Sequence, residues 1–481
     1  MNWYDYLIVA FAACILVLVF VVLVRTARFV PKREENEARE EIAVDGERAM
    51  EALRQMIRCK TVSSYDKAEE DEGEFEKFVA LLPDLFPKVF GACELVRPGD
   101  RSLILRWKGE DSSKCRIMMA HYDVVPVEEF LWSKPAFEGI VEDCVLWGRG
   151  TLDTKGTLNG ALCAAEQLIE RGFVPKNDVY FAFSGDEEVN GHGAPDNVAW
   201  FKKQGIFAEL VVDEGGAVVR NVFPGVHTPC AVVGIAEKGQ VNLSFSVTGK
   251  GGHASSPPPH TAVGVLSEAC RSVENHPFPV RFSKPALEMF DTLGRRSTFL
   301  YRMIFANLWL FKGVLDLISR KSGGELNALL RTTVAFTQME GSKAPNVIPP
   351  SARMVANIRI MSGETVESTV EYVRKHVPES VELDVLYGTN PSSVSRTDTD
   401  EWNRLKEAIG ATWTDCIVSP YLMLACSDSR HYGEISECVY RFSAMALSKE
   451  ERSTIHGNDE RIPMETVEKT VEFYVRLLGQ C

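Results

Sequence analysis

The chain has 481 residues, 45% hydrophobic and 25% charged, enough apolar surface for a buried core and more than one domain and too little bias for a largely disordered chain. Its formal net charge of −14, from 53 basic and 67 acidic residues, repels phosphate backbones, and no Lys/Arg run offsets it, which argues against nucleic-acid binding. The twelve cysteines are scattered from Cys14 to Cys481 without a CxxC or CxH pair, so they read as reduced structural thiols.

From Tyr6 to Val24 the chain runs nineteen residues without a charge. At about 1.5 Å per residue this spans roughly 28 Å, close to the hydrocarbon core of a bilayer. A cleaved signal peptide is the competing reading. Against it stand the missing basic leader, the length of the apolar stretch and the lack of a small-x-small cleavage site. The expectation is a single-pass anchor over residues 1–30. Arg25, Arg28, Lys32 and Arg33 follow the span and only the α-amine precedes it, so the positive-inside rule places the body in the cytoplasm. Glu34, Glu35 and Glu37 close behind weaken that signal.

Asn36 to Ile57 is charged and becomes amphipathic, with Met50, Leu53, Met56 and Ile57 at helical spacing. From there to about residue 236, short apolar runs alternate with helical patterns. CRIMMA (115–120), VYFAF (179–183) and LVV (210–212) read as buried strands, and 156–172 as a helix ending at Gly172. The alternation predicts an α/β fold, a mostly parallel sheet sandwiched by helices. Near Lys238 the texture changes. Strands over 241–249, 331–339, 352–360 and 381–387 and helices over 261–274 and 364–377 follow the β-α-β-β-α-β order of a ferredoxin-like sheet. The α/β texture then resumes. The expected organisation is a catalytic domain in two parts, 36–236 and 388–481, with a smaller α+β domain, 237–387, inserted between them.

An apolar insertion, about 281–330, interrupts the small domain. Its centre, 300–318, contains Arg302 and Lys312, each costing roughly 2.5–3.5 kcal/mol near the middle of a membrane helix. It therefore reads as a packing helix, or as a surface that rests on a membrane or a partner, rather than as a second span.

The chemistry-bearing residues are ordinary one by one. His121 follows a strand, with Asp123 two positions on, placed to hold the second ring nitrogen of a metal-binding histidine. Asp153 sits in GRGTLDTKG, a glycine-rich loop without the spacing of a phosphate cradle. Asp186-Glu187-Glu188 are adjacent carboxylates after a strand, which repel one another unless a cation or solvent neutralises them. One could bind metal while its neighbour serves as general base. Asp213 follows LVV, and His456 follows the apolar run 438–447. Each of these five, His121, Asp153, Glu188, Asp213 and His456, follows a strand or strand-like run, and open α/β sheets bind ligands at the carboxyl ends of their strands. A set of oxygen and nitrogen donors without thiolate suits zinc, and less selectively cobalt or manganese.

In this order and spacing the motifs HYD (121–123), GRGTLDTKG (148–156), GDEE (185–188), VVDEGG (211–216), GKGGHAS (249–255), NVIPP (346–350), NIR (357–359), SDSRH (427–431) and HGNDE (456–460) resemble a known family. It is that of the dinuclear-zinc aminoacylase/carboxypeptidase metallopeptidases, and the branch most similar is that of carboxypeptidase S and the Gly-Xaa carboxypeptidases. The likeness runs from about residue 45 to the C-terminus.

The resemblance implies two zinc ions, one held by His121 and Asp213, the other by Glu188 and His456, with Asp153 bridging both. It implies Glu187 as the general base and Asp123 as the carboxylate that orients His121. His253, from the inserted domain, would stabilise the oxyanion, and Arg359 would grip the substrate carboxylate, with Asn346 near the same groove and Arg430 a further substrate contact. The inserted domain would act as a lid or a homodimer surface. Two departures stand out: Thr154 follows the bridging aspartate where relatives often have aspartate or methionine, and Asp213 stands where small-substrate deacylases usually place glutamate. The second shifts the expectation toward the peptidase and N-acyl-amino-acid branch.

The expected activity is zinc-dependent hydrolysis of a peptide or amide bond beside a residue with a free carboxylate, on a peptide or N-acyl amino acid. A dipeptidase or small-metabolite deacylase is the alternative within the class. A catalytically inactive, membrane-anchored binding protein is the alternative outside it.

Overall fold

Strands built from the apolar runs form one large sheet in the computed structural model, which describes residues 2–31 and 41–481. Eight strands lie in the order Cys93–Val96, Ser102–Trp107, Asn177–Ser184, Asp111–His121, Leu210–Val219, Val439–Ala446, Cys230–Glu237 and Ile417–Met423. The middle four are parallel. At one edge Ser102–Trp107 runs antiparallel to Asn177–Ser184, and at the other Cys230–Glu237 runs antiparallel to Val439–Ala446. The sheet is thus mixed where a mostly parallel one was expected. Apolar content marks a buried strand but not its direction, and short connections such as 97–101 and 220–229 reverse the chain without a crossover helix.

Both faces of the sheet are covered. Along Asp111–His121, Met118 and Ala120 join the core that includes Leu158 and Leu162 of the Lys155–Glu170 helix and Val467 and Val471 of Met464–Leu478. Ile117 and Met119 face the other way, toward Ala194, Val198 and Phe201 of Gly193–Lys203. This is the period-two alternation of a strand buried on both sides. Leu210–Val219 is longer than its apolar run because Gly215 and Gly216 let it continue. A Cβ on Gly216 would lie 1.7 Å from the Val232 carbonyl oxygen, so the strand pairing there depends on glycine.

A second sheet holds Thr333–Glu340, Ser351–Ile360, Gly239–Thr248 and Glu382–Thr389 in that order, all antiparallel. Helices Ala262–Asn275 and Val366–Arg374 pack on it through Leu266, Ala269 and Val373 against Val241, Leu243 and Phe245. The apolar insertion does not join this core. It forms helices Lys284–Gly294, Phe299–Ala306, Leu308–Ser322 and Gly324–Leu330, and Met289, Phe290, Leu293, Phe305 and Leu330 pack into the core of the large sheet. The apolar run 300–318 is therefore two helices, parted at the buried Asn307.

Among the described residues one helix, Trp3–Arg28, is long and apolar enough to cross a membrane. Its side chains are exposed except near the end, where Val22 and Thr26 are buried. There Asn307 Nδ2 donates to the Val22 carbonyl (3.4 Å) and to Thr26 Oγ1 (3.3 Å), and Arg25 Nε donates to the Ala306 carbonyl (3.3 Å). Lys32, Arg33, Glu34, Glu35 and Glu37, on which the orientation expectation drew, lie outside the described residues.

Candidate active site

The carboxyl ends of the parallel strands converge on Asp153. Its Oδ1 lies 3.1 Å from His121 Nε2 and its Oδ2 lies 2.9 Å from His456 Nε2. One carboxylate thus faces two histidines, one with each oxygen. Around the first histidine stands Glu214, with Oε1 3.4 Å from His121 Nε2. Around the second stands Glu188, with Oε1 3.1 Å from His456 Nε2. Donor atoms of His121, Glu187 and Glu214 lie within 4.8 Å of one another, and so do those of His121, Asp153 and Glu188.

Each member is held by the fold. His121 ends its strand, and its Nδ1 faces the Asp123 backbone carbonyl (3.0 Å) and carboxylate (3.3 Å). Asp123 is fully buried. It accepts from Ser63 Oγ (2.7 Å) and from the amides of Glu187 (3.1 Å) and Glu188 (3.0 Å), tying the histidine to the acidic turn. His456 does not follow a strand directly, because the helix Lys449–Thr454 intervenes. Its backbone adopts a left-handed conformation, φ 57°, which histidine enters more readily than most residues other than glycine.

The loop carrying Asp153 wraps around another carboxylate. Buried Glu460 accepts from the amides of Gly150 (3.0 Å), Leu152 (2.7 Å) and Asp153 (3.2 Å) and pairs with Arg149 Nη1 at 2.6 Å. Lys155 Nζ, also buried, donates to the Met56 and Cys59 carbonyls. Glu460→Ala should therefore destabilise the fold by about 3–5 kcal/mol, the usual cost of leaving one partner of a buried pair alone, as measured by denaturant unfolding.

The electrostatics call for cations. Burial, with the negative charges of Asp428, Glu214 and Glu188, pushes the Glu187 carboxyl well above its ordinary range despite nearby His121. Burial and Asp153 do the same to Glu214. The hydrogen bonds to Asp153 and Glu188 push His456 up to about 10. Protons are thus drawn to a site where four carboxylates and two imidazoles crowd together, and divalent cations would replace them.

The other sequence-derived candidates lie as follows. Asp213 is buried, its Oδ2 accepts from the Ser429 amide (3.0 Å), and its charge acts on Glu214 and Asp428 and is felt by His121. Ser427 and Ser429 are in turn held by Glu237, which pairs with Arg441 at 2.5 Å. Arg430 donates to Asn190 Oδ1 (3.1 Å) and adds positive potential at Glu187. Arg359 donates from Nη1 to Cys426 Sγ (3.4 Å), at the junction of the two sheets. His253 lies on the strand Gly252–His253, exposed, with Nδ1 2.8 Å from Ser255 Oγ. Asn346 is exposed, and its carbonyl accepts from the Ala254 amide. Neither His253 nor Asn346 has a hydrogen bond or ion pair to the cluster among the described residues.

Glu214, Glu460, Ser63 and Asp428 were missed in the sequence. Strand alternation could have flagged Glu214, since adjacent residues of a strand point to opposite sides. Asp428 and Glu460 lie in the SDSRH and HGNDE motifs, which could have flagged them, whereas Ser63 is brought in by long-range packing that leaves no local signal.

Residues 117–480 match the description "Peptidase family M20/M25/M40". The chain is 36% identical to the probable carboxypeptidase S-like 2 of Dictyostelium discoideum, over 87% of this chain and 82% of that protein. It is 35% identical to the N-fatty-acyl-amino acid synthase/hydrolase PM20D1 of Xenopus tropicalis, over 98% of this chain and 94% of that protein. The crystal structure of the M20 family metallo-carboxypeptidase Sso-CP2 from Sulfolobus solfataricus superposes with a TM-score of 0.66 at 16% identity, covering 90% of this chain and 98% of that one.

Proposed function

The chain belongs to peptidase family M20/M25/M40, and from that premise we propose that it cleaves the amide bond of peptides or N-acyl amino acids ending in a free carboxylate, with the Asp153 cluster as a dinuclear metal centre. The observation that carries this reading is Asp153 itself, with a histidine on each of its two oxygens. In this reading His121 and Glu214 hold one cation, Glu188 and His456 the other, and Asp153 bridges. Glu214 is placed here beside His121 on their 3.4 Å separation, and Asp213, the ligand that the resemblance implies, is the rival for the same position. Carboxylate and imidazole donors without thiolate suit zinc, with cobalt or manganese less selective alternatives.

A bound cation pair would supply Lewis acidity and ease deprotonation of the attacking water. Glu187 takes that proton and returns it to the leaving amine. Asp123 keeps His121 in one tautomer and orientation. Arg359 and Arg430 receive the substrate carboxylate, with Asn346 near the same groove. His253 donates to the oxyanion once the smaller domain, 237–387, closes as a lid, or once a second copy presents it. The middle of that domain, 281–330, stays with the large sheet. Trp3–Arg28 anchors the body to a membrane, with the body on the cytoplasmic side. Its last turns pack against helix Phe299–Ala306 and Asn307, a contact that a cleaved leader would forfeit.

The test is a panel of free dipeptides, N-blocked dipeptides and N-acyl amino acids, each with a free or amidated C-terminus. Cleavage of N-blocked or N-acyl substrates, lost on chelation and on amidation, is expected. A requirement for a free α-amine would favour the dipeptidase, and a folded, metal-free protein that cleaves nothing would sink the hydrolase. Arg359→Ala should lower kcat/KM about ten- to a hundredfold on free-carboxylate substrates, the worth of a charge-assisted hydrogen bond, and leave any residual turnover of amidated ones unchanged. Glu214→Ala should leave about one metal per chain, whereas Asp213→Asn should keep two, as read by elemental analysis of the purified variants.

A further inference from the structure

The helix Leu308–Ser322 leaves one face without a partner among the described residues. Trp309, Leu310, Val314, Leu317 and Ile318 are exposed at 56, 39, 47, 55 and 45%, and Gly313 between them is exposed as well. These positions pair as 309/310, 313/314 and 317/318, one stripe along the helix. Its opposite face is seated, with Leu315 and Ser319 buried. The preceding helix adds exposed Phe299, Leu300 and Tyr301.

The anchor helix fixes where this surface stands. Asn307, the residue before Leu308, bonds to the carbonyl of Val22, and Arg25 reaches back to Ala306. Val22 lies inside the uncharged span that ends at Val24, about 3 Å short of its end at the helical rise. Asn307 therefore sits at the level where hydrocarbon gives way to headgroups. Farther out, Arg295 lies 4.4 Å from the Phe29 ring centroid and donates to the Val30 carbonyl, so the same segment also grips the residues just beyond the span. Charge agrees with this placement. In a chain of net charge −14, residues 295–322 carry six basic side chains and one acidic one; Arg295 pairs with Asp291 and Arg320 with Asp316, and the basic excess that is left suits anionic headgroups.

We infer that helices Phe299–Ala306 and Leu308–Ser322 form a membrane-docking surface, seated in the outer part of the bilayer beside the anchor. The inference rests on the reading of Trp3–Arg28 as a membrane span. A lone span would leave the body free to swivel on its tether, whereas this second contact fixes its tilt. The large sheet then presents its Ile417–Met423 edge, clothed by Lys284–Gly294, to the membrane, and its Cys93–Val96 edge away from it.

The test uses the full chain in nanodiscs of phosphatidylcholine and phosphatidylserine, with photoreactive benzoylphenylalanine replacing Leu317, Phe11 in the span, or exposed Leu95 on the far sheet edge. Each variant is checked by thermal unfolding, and cross-linked peptides are identified by mass spectrometry. Lipid adducts at Leu317 comparable to those at Phe11, and at least about tenfold above Leu95, are expected of a helix lying in the interface. Adducts at Phe11 but not at Leu317 overturn the docking surface and leave the anchor standing. Adducts at neither overturn both readings. A cross-link from Leu317 to a second copy of the chain overturns the lipid assignment in favour of a protein interface.

Discussion

Glu187→Gln is expected to lower kcat by about 10²–10⁴-fold, the range for a positioned general base, while the protein keeps two metals per chain and close to its original KM. Glutamine preserves the shape and the backbone amide that donates to Asp123, so the turn and the orientation of His121 persist. What it lacks is a carboxylate able to take a proton. Glu187 lies within 4.8 Å of His121 and Glu214, yet its oxygens make no hydrogen bond to a histidine of the site among the described residues, in contrast to Glu188. Burial and neighbouring carboxylates raise the proton affinity of Glu187, so that once cations hold it ionised it is a stronger acceptor for the water proton than an ordinary carboxylate. Measuring kcat, KM and metal content on one preparation separates the outcomes. Lost metal would make Glu187 a ligand, and preserved turnover would move the base elsewhere, Glu214 being the next candidate.

Much of this cluster was legible because its residues announce themselves locally. A histidine ending an apolar run, an aspartate in a glycine-rich loop and adjacent carboxylates after a strand each mark a place where charge meets a strand end. Convergence of His121 and Glu188 follows from the sheet, since strand ends of an α/β fold share one side. Asp153 instead follows Val145–Trp147 of a separate three-stranded sheet and His456 follows the helix Lys449–Thr454, so packing brings those two in. Which of Asp213 and Glu214 would serve a cation is not legible in the sequence, and both carboxylates act on His121. Both follow an apolar run, and which points to the cluster depends on the phase of the strand against its neighbours. That phase is set by pairings such as Met118 with Val212, not by the residues themselves. The bracing of the site by buried Glu460 and Glu237 was not legible either, because their partners, Arg149 and Arg441, are hundreds of residues away. The insertion misled in another way. Its apolar character was plain, but only packing assigns Met289 and Phe305 to the large core and leaves Leu317 outside.

Asp153→Asn should remove more metal than any other single change. Every other ligand in the proposed set serves one cation, whereas Asp153 offers one oxygen to each side. Asparagine keeps the size but loses the charge, and its second donor group becomes an NH₂ that cannot ligate. Weakening of both positions by more than about a hundredfold is expected, beyond the ten- to hundredfold typical of partners that merely orient a ligand. Ser63→Ala, which deprives Asp123 of one hydrogen bond, supplies that smaller effect for comparison. The fold should survive, because the Gly150–Asp153 amides are held by Glu460 and not by the Asp153 side chain. Metal titration followed by calorimetry and elemental analysis checks the result. Two metals still bound tightly would reject Asp153 as a bridge. Loss of one alone would make it a ligand to a single cation, with His456 and Glu188 or His121 and Glu214 sufficient to hold the other.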